Sequence, residues 1–253
     1  MDEKTWLNAF FSPTGATGKI AGAVSAGSLL PCREVDLSSP TTEESIPSDV
    51  VLAVSIPVFA NRVPPIALER LANLKGQNGP AVAIAVYGNR AYGDALSELK
   101  LALERNGFRV IAAGAFIGEH SIVRSIAAGR PDADDLAAAK EFGRRSGAKA
   151  LKNDFTPIQV PGQTELPPYK GIDVIPTANQ ECIQCGACAE TCPVSAISAE
   201  ASNETDKAAC ITCMRCVSVC PRKARSLPQD MLSGTKARLS VSAGTPKKPE
   251  LFV

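Results

Sequence analysis

The sequence predicts an α/β domain with a doubly wound parallel sheet, followed by a second, small α+β domain that is rich in cysteine. Three observations predict this arrangement. Apolar β-type runs alternate with helix-type segments between residues 5 and 149. A proline-rich stretch without periodicity follows, and after it one cysteine motif occurs twice. We therefore expect domains at 1–153 and 179–228, a semi-rigid linker at 154–178, and a poorly ordered C-terminal tail at 229–253.

Five segments are predicted as the strands of the first domain. The first covers Thr5–Phe11, the second follows Cys32, and the remaining three cover Val50–Ile56, Ala81–Tyr87 and Phe108–Phe116. The unbroken apolar runs at Val50–Ile56 and Ala81–Tyr87 are typical of parallel strands that helices cover on both faces.

Four segments between and after these strands predict helices, at Lys19–Ala26, Pro65–Leu74, Tyr92–Asn106 and Asp132–Lys149. Proline suits the first turn of the second helix because its missing N–H has no partner there. Gly107 is typical of a helix end, and acidic residues favour the start of the last helix.

Composition limits the classes of function. The 253 residues are 45% hydrophobic and 21% charged, with a formal net charge of +1, as in ordinary globular proteins. No basic block with aromatic residues indicates nucleic-acid binding, and no run approaches the ~20 apolar residues of a membrane span. Because Met1 is followed by Asp2, Glu3 and Lys4 and no apolar leader, we expect a cytoplasmic protein.

The turn after the first strand has the composition of a phosphate-binding loop. Hydroxyls and small residues alternate in it, with candidate contacts at Ser12, Thr14, Gly15, Ala16 and Thr17. Backbone N–H groups at a helix start bind anions, and hydroxyls add hydrogen bonds. The loop lacks the G-x4-G-K-[ST] motif of nucleotide hydrolases and the G-x-G-x-x-G motif of dinucleotide sites. A phosphate monoester held without metal or compensating cation fits FMN.

Two further loops follow later strands, where parallel sheets bind ligands at their carboxyl edge. The candidate residues are Pro57, Val58, Phe59 and Ala60 in one loop and Tyr87, Gly88, Asn89, Tyr92 and Gly93 in the other. Phe59 and Tyr92 are candidates to cover a flavin ring, and Gly88 and Asn89 to present backbone groups to it. The alternative is that these are tight turns and core aromatics.

Eight of the nine cysteines form two copies of C-x2-C-x2-C-x3-C-P. The first copy is Cys182, Cys185, Cys188 and Cys192, and the second is Cys210, Cys213, Cys216 and Cys220. Bacterial two-cluster ferredoxins use this run to bind [4Fe–4S] clusters. Zinc sites normally use two separated C-x2-C pairs, and disulfides are typical of secreted chains. The repeated run therefore favours iron–sulfur clusters.

These motifs together resemble a known family. Ser12-Pro13-Thr14-Gly15-Ala16-Thr17 is similar to the flavodoxin phosphate loop, and residues 5–226 resemble the fused flavodoxin–ferredoxin proteins of anaerobes, the EFR1-family ferredoxins. The segments 87–95 and 116–121 contribute to this resemblance. It implies a flavodoxin-like five-stranded sheet of order 2-1-3-4-5 that binds FMN.

The resemblance also implies two clusters with crossed ligation. Cluster one is then held by Cys182, Cys185, Cys188 and Cys220, and cluster two by Cys210, Cys213, Cys216 and Cys192. Ile183 and Ile211 are among the apolar residues expected to shield the clusters from solvent.

The expected function is electron transfer among the two clusters, FMN and external redox partners such as a ferredoxin, a reductase or a metalloenzyme. The alternative is a reductase in which FMN acts directly on a small substrate, and a third class is a redox sensor or metal-stabilised scaffold. The sequence leaves the donor, the acceptor and the oligomeric state open. It also leaves open whether Arg62 and Arg90 contact flavin, form a docking surface or are solvated, and whether His120 lines the flavin site. Cys32 is expected to be a buried thiol.

Overall fold

The first domain is a six-stranded sheet with helices on both faces. The computed structural model describes residues 4–253, so Met1–Glu3, on which the expectation of no leader depends, lie outside the described residues. The sheet contains β1 (Thr5–Phe10), β2 (Cys32–Asp36), β4 (Val50–Pro57), β6 (Pro80–Tyr87), β7 (Arg109–Ile117) and β10 (Glu250–Phe252). Short strands β3 (Glu44–Ile46) and β5 (Leu74–Gly76) pair separately.

The order of the large sheet is β10-β7-β6-β4-β1-β2. Its five parallel strands therefore have the order 2-1-3-4-5 when they are counted along the chain, which is the flavodoxin-like order that we predicted. From β1 the chain adds β2 on one side and then β4, β6 and β7 on the other side. The loops after β1 and β4 therefore leave on opposite faces of the sheet, and a crevice opens beyond the carboxyl ends of these two strands.

The sixth strand corrects our prediction for the C-terminal tail. Residues 229–253 are ordered: they form α7 (Gln229–Ala243) and then β10, which pairs antiparallel with β7 through Leu251 and Gly114. Pairing of backbone groups at an open sheet edge stabilises a strand that has little periodic pattern of its own.

Helices α1 (Ala16–Ser28) and α4 (Ala133–Leu151) cover one face of the sheet, and α2 (Pro65–Leu71) and α3 (Ala95–Arg105) cover the other. Helix α2 is shorter than predicted because Leu74 belongs to β5, where it pairs with Glu44. Asp132 caps α4 by accepting a hydrogen bond from the backbone N–H of Asp135. Along the described chain, residues 4–253, no helix combines the length and apolar character required to cross a bilayer.

The cysteine module is small and contains little regular structure. Strands β8 (Thr177–Ala178) and β9 (Arg225–Ser226) pair antiparallel and join its two ends. Helices α5 (Ala187–Glu190) and α6 (Arg215–Val219) each contain the third cysteine of one run, Cys188 and Cys216.

The linker follows the surface of the first domain. The Ser97 hydroxyl donates to the Gln163 carbonyl at 2.9 Å, and the Gln163 N–H donates to Asp94 at 2.9 Å. Ile158 and Val160 pack against the core of the α/β domain. The linker is therefore attached along its length, and it does not act as a free tether.

We predict opposite effects for two glycine substitutions at the contact between α1 and α4. A Cβ at Gly143 would lie 1.9 Å from the Val24 carbonyl oxygen, so Gly143→Ala must separate the helices and lower the free energy of unfolding by about 1–3 kcal/mol. Gly22→Ala is the matched control because nothing lies within 4 Å of the added atom. It should raise stability by about 0.5–1 kcal/mol through helix propensity. Unfolding followed by circular dichroism measures both effects, and equal behaviour of the two variants would contradict the close packing.

Candidate functional site

The loop between β1 and α1 is built to receive an anion. Gly15 has a left-handed φ of 92°, which turns the chain into the helix. The Ser12 hydroxyl accepts a hydrogen bond from the Gly18 N–H at 2.8 Å and holds the loop closed. Within residues 4–253, the N–H groups of residues 14–17 have no protein acceptor. Free N–H groups at a helix start form an anion site.

The two later loops meet this phosphate-type loop at one cavity. The predicted residues that line it are Thr14, Ala16, Thr17, Pro57, Val58, Phe59, Tyr87 and Gly88. Three strand ends that are far apart in sequence thus converge on one cleft. Cys213 of the cysteine module also lines the cavity, which sequence reasoning did not predict.

The cleft continues into a cavity of about 450 Å³ beyond the loops that follow β4 and β6. Val58, Phe59, Ala60 and Gly88 line its near side. Its far side is formed by Ile172, Asp173 and Val174 of the linker and by residues of α7. The volume lies within the range of small-molecule sites, and the cavity is walled by segments that we had predicted as linker and tail.

Three predicted cofactor residues serve a different role. The Asn89 amide group donates to the carbonyls of Ala243 and Thr245, and its carbonyl oxygen accepts from the Lys247 N–H at 3.0 Å. The Asn89 N–H donates to the Tyr87 carbonyl, so this predicted contact to a flavin already has a protein acceptor. The Tyr92 hydroxyl donates to Glu250 at 2.7 Å. Gly93 packs against Asn61.

The tyrosines of this region remain protonated at neutral pH. Burial raises the pKa of Tyr87 to about 12. The pKa of Tyr92 is also raised, first by burial and then by the hydrogen bond to the Glu250 carboxylate. The two rings contact each other edge to face, with centroids 5.5 Å apart. Tyr92 therefore packs on Tyr87 and the C-terminal segment, and it does not cover the cleft.

His120 lines the larger cavity and lies against Gly88, where an added Cβ would be 2.6 Å from the imidazole Cδ2. Its Nδ1 accepts hydrogen bonds from the N–H groups of Ile122 and Val123 at 3.2 and 3.1 Å. Burial lowers the pKa of His120. The imidazole is therefore neutral at pH 7, and its Nε2 carries the proton.

The two arginines that the sequence left open have separate roles. Arg62 forms a two-point ion pair with Glu98, at 2.6 and 2.8 Å, and also donates to the Pro167 carbonyl of the linker. It fixes the linker. Arg90 lines the larger cavity and donates to the Asn61 side chain at 3.1 Å.

Cations lie beside the phosphate-type loop, contrary to our expectation. Lys19, Arg124 and Arg130 line a cavity that also includes Thr14 and Ala16. Arg124 pairs with Glu119 and Arg130 with Asp135, whereas Lys19 has no ion-pair partner among the described residues. Glu119 and Ser121, which follow β7, also line the cavities beside this loop, and the sequence did not predict them as site residues. The signal that could have identified them is that β7 ends at the same edge of the sheet.

The eight motif cysteines gather around two separate cavities. Cys182, Cys185, Cys188 and Cys220 line the first, and Cys192, Cys210, Cys213 and Cys216 line the second. Each cavity thus contains three cysteines of one run and the fourth cysteine of the other run. Among residues 4–253, no group of three or more His, Cys, Asp or Glu side chains is arranged to hold a single metal ion.

Burial differs between the cysteines. It raises the pKa of Cys213 to about 12 and that of Cys216 to about 11. Burial also opposes ionisation of Cys220, but N–H groups of residues 222–225 hold its pKa below the usual value. The ninth cysteine, Cys32, is exposed and accepts a hydrogen bond from Ser25, so the prediction of a buried thiol is wrong.

Residues 181–224 match the sequence family described as the 4Fe-4S dicluster domain. This match and the two gathered cysteine sets make the C-terminal module an iron–sulfur domain. The matched segment is 44 of 253 residues, so it describes the module and not the whole chain. A comparison with curated proteins finds no significant match.

Several solved structures are similar to part of this chain. A flavodoxin from the domain Archaea is 13% identical, with 58% of this chain and 99% of that chain covered and a TM-score of 0.40. The flavodiiron core of Flv1 from Synechocystis is 14% identical, with coverage of 60% and 37% and a TM-score of 0.44. Rubredoxin oxygen:oxidoreductase from Desulfovibrio gigas is 16% identical, with coverage of 61% and 38% and a TM-score of 0.42. The flavodoxin-like fold itself follows from the strand order.

We predict that Asn89 holds the C-terminal segment on the sheet. Asn89→Gly retains a residue that accepts the left-handed φ of 60° at this position and removes three hydrogen bonds. Amides of residues 244–253 should then exchange with deuterium at least about tenfold faster, since each lost bond contributes about 1 kcal/mol.

The matched control is Asn153→Gly, an exposed asparagine with a φ of 52°. It should leave the exchange of residues 244–253 unchanged. Unchanged protection in Asn89→Gly would show that the segment is held by β10 alone.

Proposed function

We propose that the chain is an electron-transfer protein that carries two [4Fe–4S] clusters and one FMN and exchanges single electrons with a redox partner. The observation that supports this proposal is the position of Cys213. It lines the cluster-two cavity together with Cys192, Cys210 and Cys216, and it also lines the cleft that contains Thr14, Phe59 and Tyr87. The two predicted cofactor sites therefore share a wall.

The residues at the phosphate end of the cleft fit FMN. The free N–H groups of residues 14–17 and the hydroxyls of Thr14 and Thr17 suit the phosphate, and Lys19 supplies positive charge beside it. Phe59 and Gly88 border the wider cavity in which a ring system would lie. When bound, FMN accepts one or two electrons, and iron–sulfur clusters carry one electron each.

The cysteine cavities fit clusters with crossed ligation. Four thiols border each cavity, and apolar residues such as Ile197 and Val194 border the second. Because Cys192 and Cys220 are exchanged between the cavities, cluster binding would join both ends of a module that has little core of its own. Exclusion of water by apolar residues would tune the reduction potential.

The alternative function, a flavin-dependent reductase, has one supporting observation. The cavity of about 450 Å³ has Arg90 and a neutral His120 in its wall, which suits a small anionic substrate beside a flavin. Neither Tyr87 nor Tyr92 lines this cavity. Burial also raises the pKa of both phenols, which makes them weak proton donors near neutral pH. Electron transfer therefore accounts for more of the site. Reoxidation of the reduced protein by a small substrate, faster than by carrier proteins, would favour the reductase instead.

The cofactor content is directly testable. Anaerobic reconstitution should give about eight irons and one FMN per chain, measured by iron and sulfide analysis and by release of flavin. Cys213→Ser should lower the iron content towards about four, because cluster two loses a ligand. Cys32→Ser is the matched control, since Cys32 lies outside both cysteine cavities, and it should retain all the iron. Eight irons in Cys213→Ser would exclude it as a ligand.

The phosphate contact is tested separately. Thr14 is exposed and lines both the cleft and the neighbouring cavity that contains Lys19. Thr14→Val keeps the shape of this side chain and removes its hydroxyl. We expect the FMN dissociation constant to rise about tenfold, because a hydrogen bond to a charged group contributes about 1.5–3 kcal/mol. Quenching of FMN fluorescence by flavin-free protein measures it. Thr156→Val, at an exposed linker hydroxyl, should bind FMN as the wild type does.

A further inference from the structure

The two cysteine runs form structurally equivalent repeats. A shift of 28 residues superposes Cys182 on Cys210 and Cys185 on Cys213 in the sequence. Equivalent positions share left-handed backbone conformations, with φ of 51° and 54° at Gln184 and Thr212, 79° and 64° at Gly186 and Met214, and 51° and 53° at Ser195 and Lys223. In both repeats an alanine N–H donates to the last cysteine Sγ at 3.3 Å.

One face of the second repeat is the docking surface for the α/β domain. This face consists of Ile211, Thr212 and Cys213. Ile211 and Cys213 pack with the core of the α/β domain, and Cys213 is only 8% exposed. The Thr212 hydroxyl donates to the Val174 carbonyl of the linker. Cluster two is therefore placed against the domain that contains the flavin-type cleft.

The equivalent face of the first repeat is free. It consists of Ile183, Gln184 and Cys185, and all three residues are exposed. Ile183 is 62% exposed although it borders the cluster-one cavity. We expected both Ile183 and Ile211 to be shielded from solvent. Ile211 is packed against the α/β domain, whereas Ile183 is exposed. Ile183 is thus an exposed large aliphatic side chain at the edge of the cluster-one cavity, on the face that the α/β domain covers in the other repeat.

The approach to the cleft itself is restricted. Ile172–Val174 and α7 wall the larger cavity on the side opposite the ring-binding loops. These segments narrow the approach of a carrier protein to the flavin-type cleft.

We infer that the face formed by Ile183, Gln184 and Cys185 is where an external one-electron carrier protein docks. This inference rests on the proposed function. The same backbone geometry in the second repeat already accommodates a protein domain that has a redox cofactor cleft, so the free copy fits a partner of the same kind. At the rim, Glu181 pairs with Arg222 at 3.5 Å, which leaves apolar contact as the main source of recognition. One electron lost by the reduced carrier is gained by the oxidised chain.

The test compares two substitutions of exposed aliphatic residues by glutamate. Ile183→Glu places a charge on the proposed face, and Leu29→Glu changes an 80% exposed leucine at the end of α1. The probe is a bacterial two-cluster ferredoxin. Calorimetry with both proteins oxidised measures the dissociation constant without electron transfer, and stopped-flow mixing with reduced ferredoxin measures the exchange rate.

We expect Ile183→Glu to raise the dissociation constant and to lower the exchange rate by about tenfold or more, because the change removes a central apolar contact. Leu29→Glu should match the wild type in both measurements. Exchange with methyl viologen, which needs no docking face, should be the same in the wild type and in Leu29→Glu, and in Ile183→Glu it should fall less than exchange with the ferredoxin does. If Ile183→Glu loses iron, Gln184→Glu serves as the second test, because it places a charge on the same face and leaves Ile183 in place. It should also raise the dissociation constant and lower the exchange rate.

The possible failures are distinct. If wild-type protein with full iron and flavin exchanges electrons with neither ferredoxin nor viologen, the proposed function fails. If the wild type exchanges with viologen but neither binds the ferredoxin nor exchanges with it, or if Ile183→Glu and Gln184→Glu bind and exchange as Leu29→Glu does, the docking face is overturned and the cofactor assignment stands.

Discussion

The contact between the second cysteine repeat and the carboxyl edge of the sheet determines where the candidate sites lie relative to each other. Ile211 and Cys213 insert into the same apolar core as the strands. Arg70 strengthens this contact from inside: it is 7% exposed, and its guanidinium donates to the carbonyls of Leu37 in the first domain and Pro193 in the module. A buried guanidinium left without its acceptors is costly, so this pairing opposes sliding of the module.

Segments outside the two domains complete the cleft. The linker is held by Arg62 and Ser97, and the C-terminal segment is held by Asn89 and Tyr92. These polar side chains hold the linker and the C-terminal segment on the domain, although side chains of these types beside a cleft could equally bind a ligand. As a result, three parts of the chain border the larger cavity of about 450 Å³: the loops that follow β4 and β6, the linker, and α7.

Docking makes two equivalent repeats unequal. The backbone conformations at Gln184 and Thr212 are nearly the same, yet one residue lies in solvent and the other is buried under the linker. Solvent exposure and local dielectric influence the potential of an iron–sulfur cluster. Two clusters with the same ligand pattern would therefore have different environments, one near solvent and one near the α/β domain.

The sequence by itself predicted the alternating strands and helices of the parallel sheet and the phosphate-type turn at residues 12–17, because continuous apolar runs and hydroxyl-glycine turns are local patterns. The strand order 2-1-3-4-5 was implied only by the family resemblance. The C-x2-C-x2-C-x3-C-P spacing likewise indicated iron–sulfur ligands. Only the tertiary structure decided that Asn89 and Tyr92 bind the C-terminal segment, that Arg124 and Arg130 lie beside the phosphate-type loop, and that β10 closes the sheet edge. These features depend on contacts between residues far apart in the chain. The same holds for Ile183 and Ile211, which are equivalent in sequence and differ only because the α/β domain covers one of them.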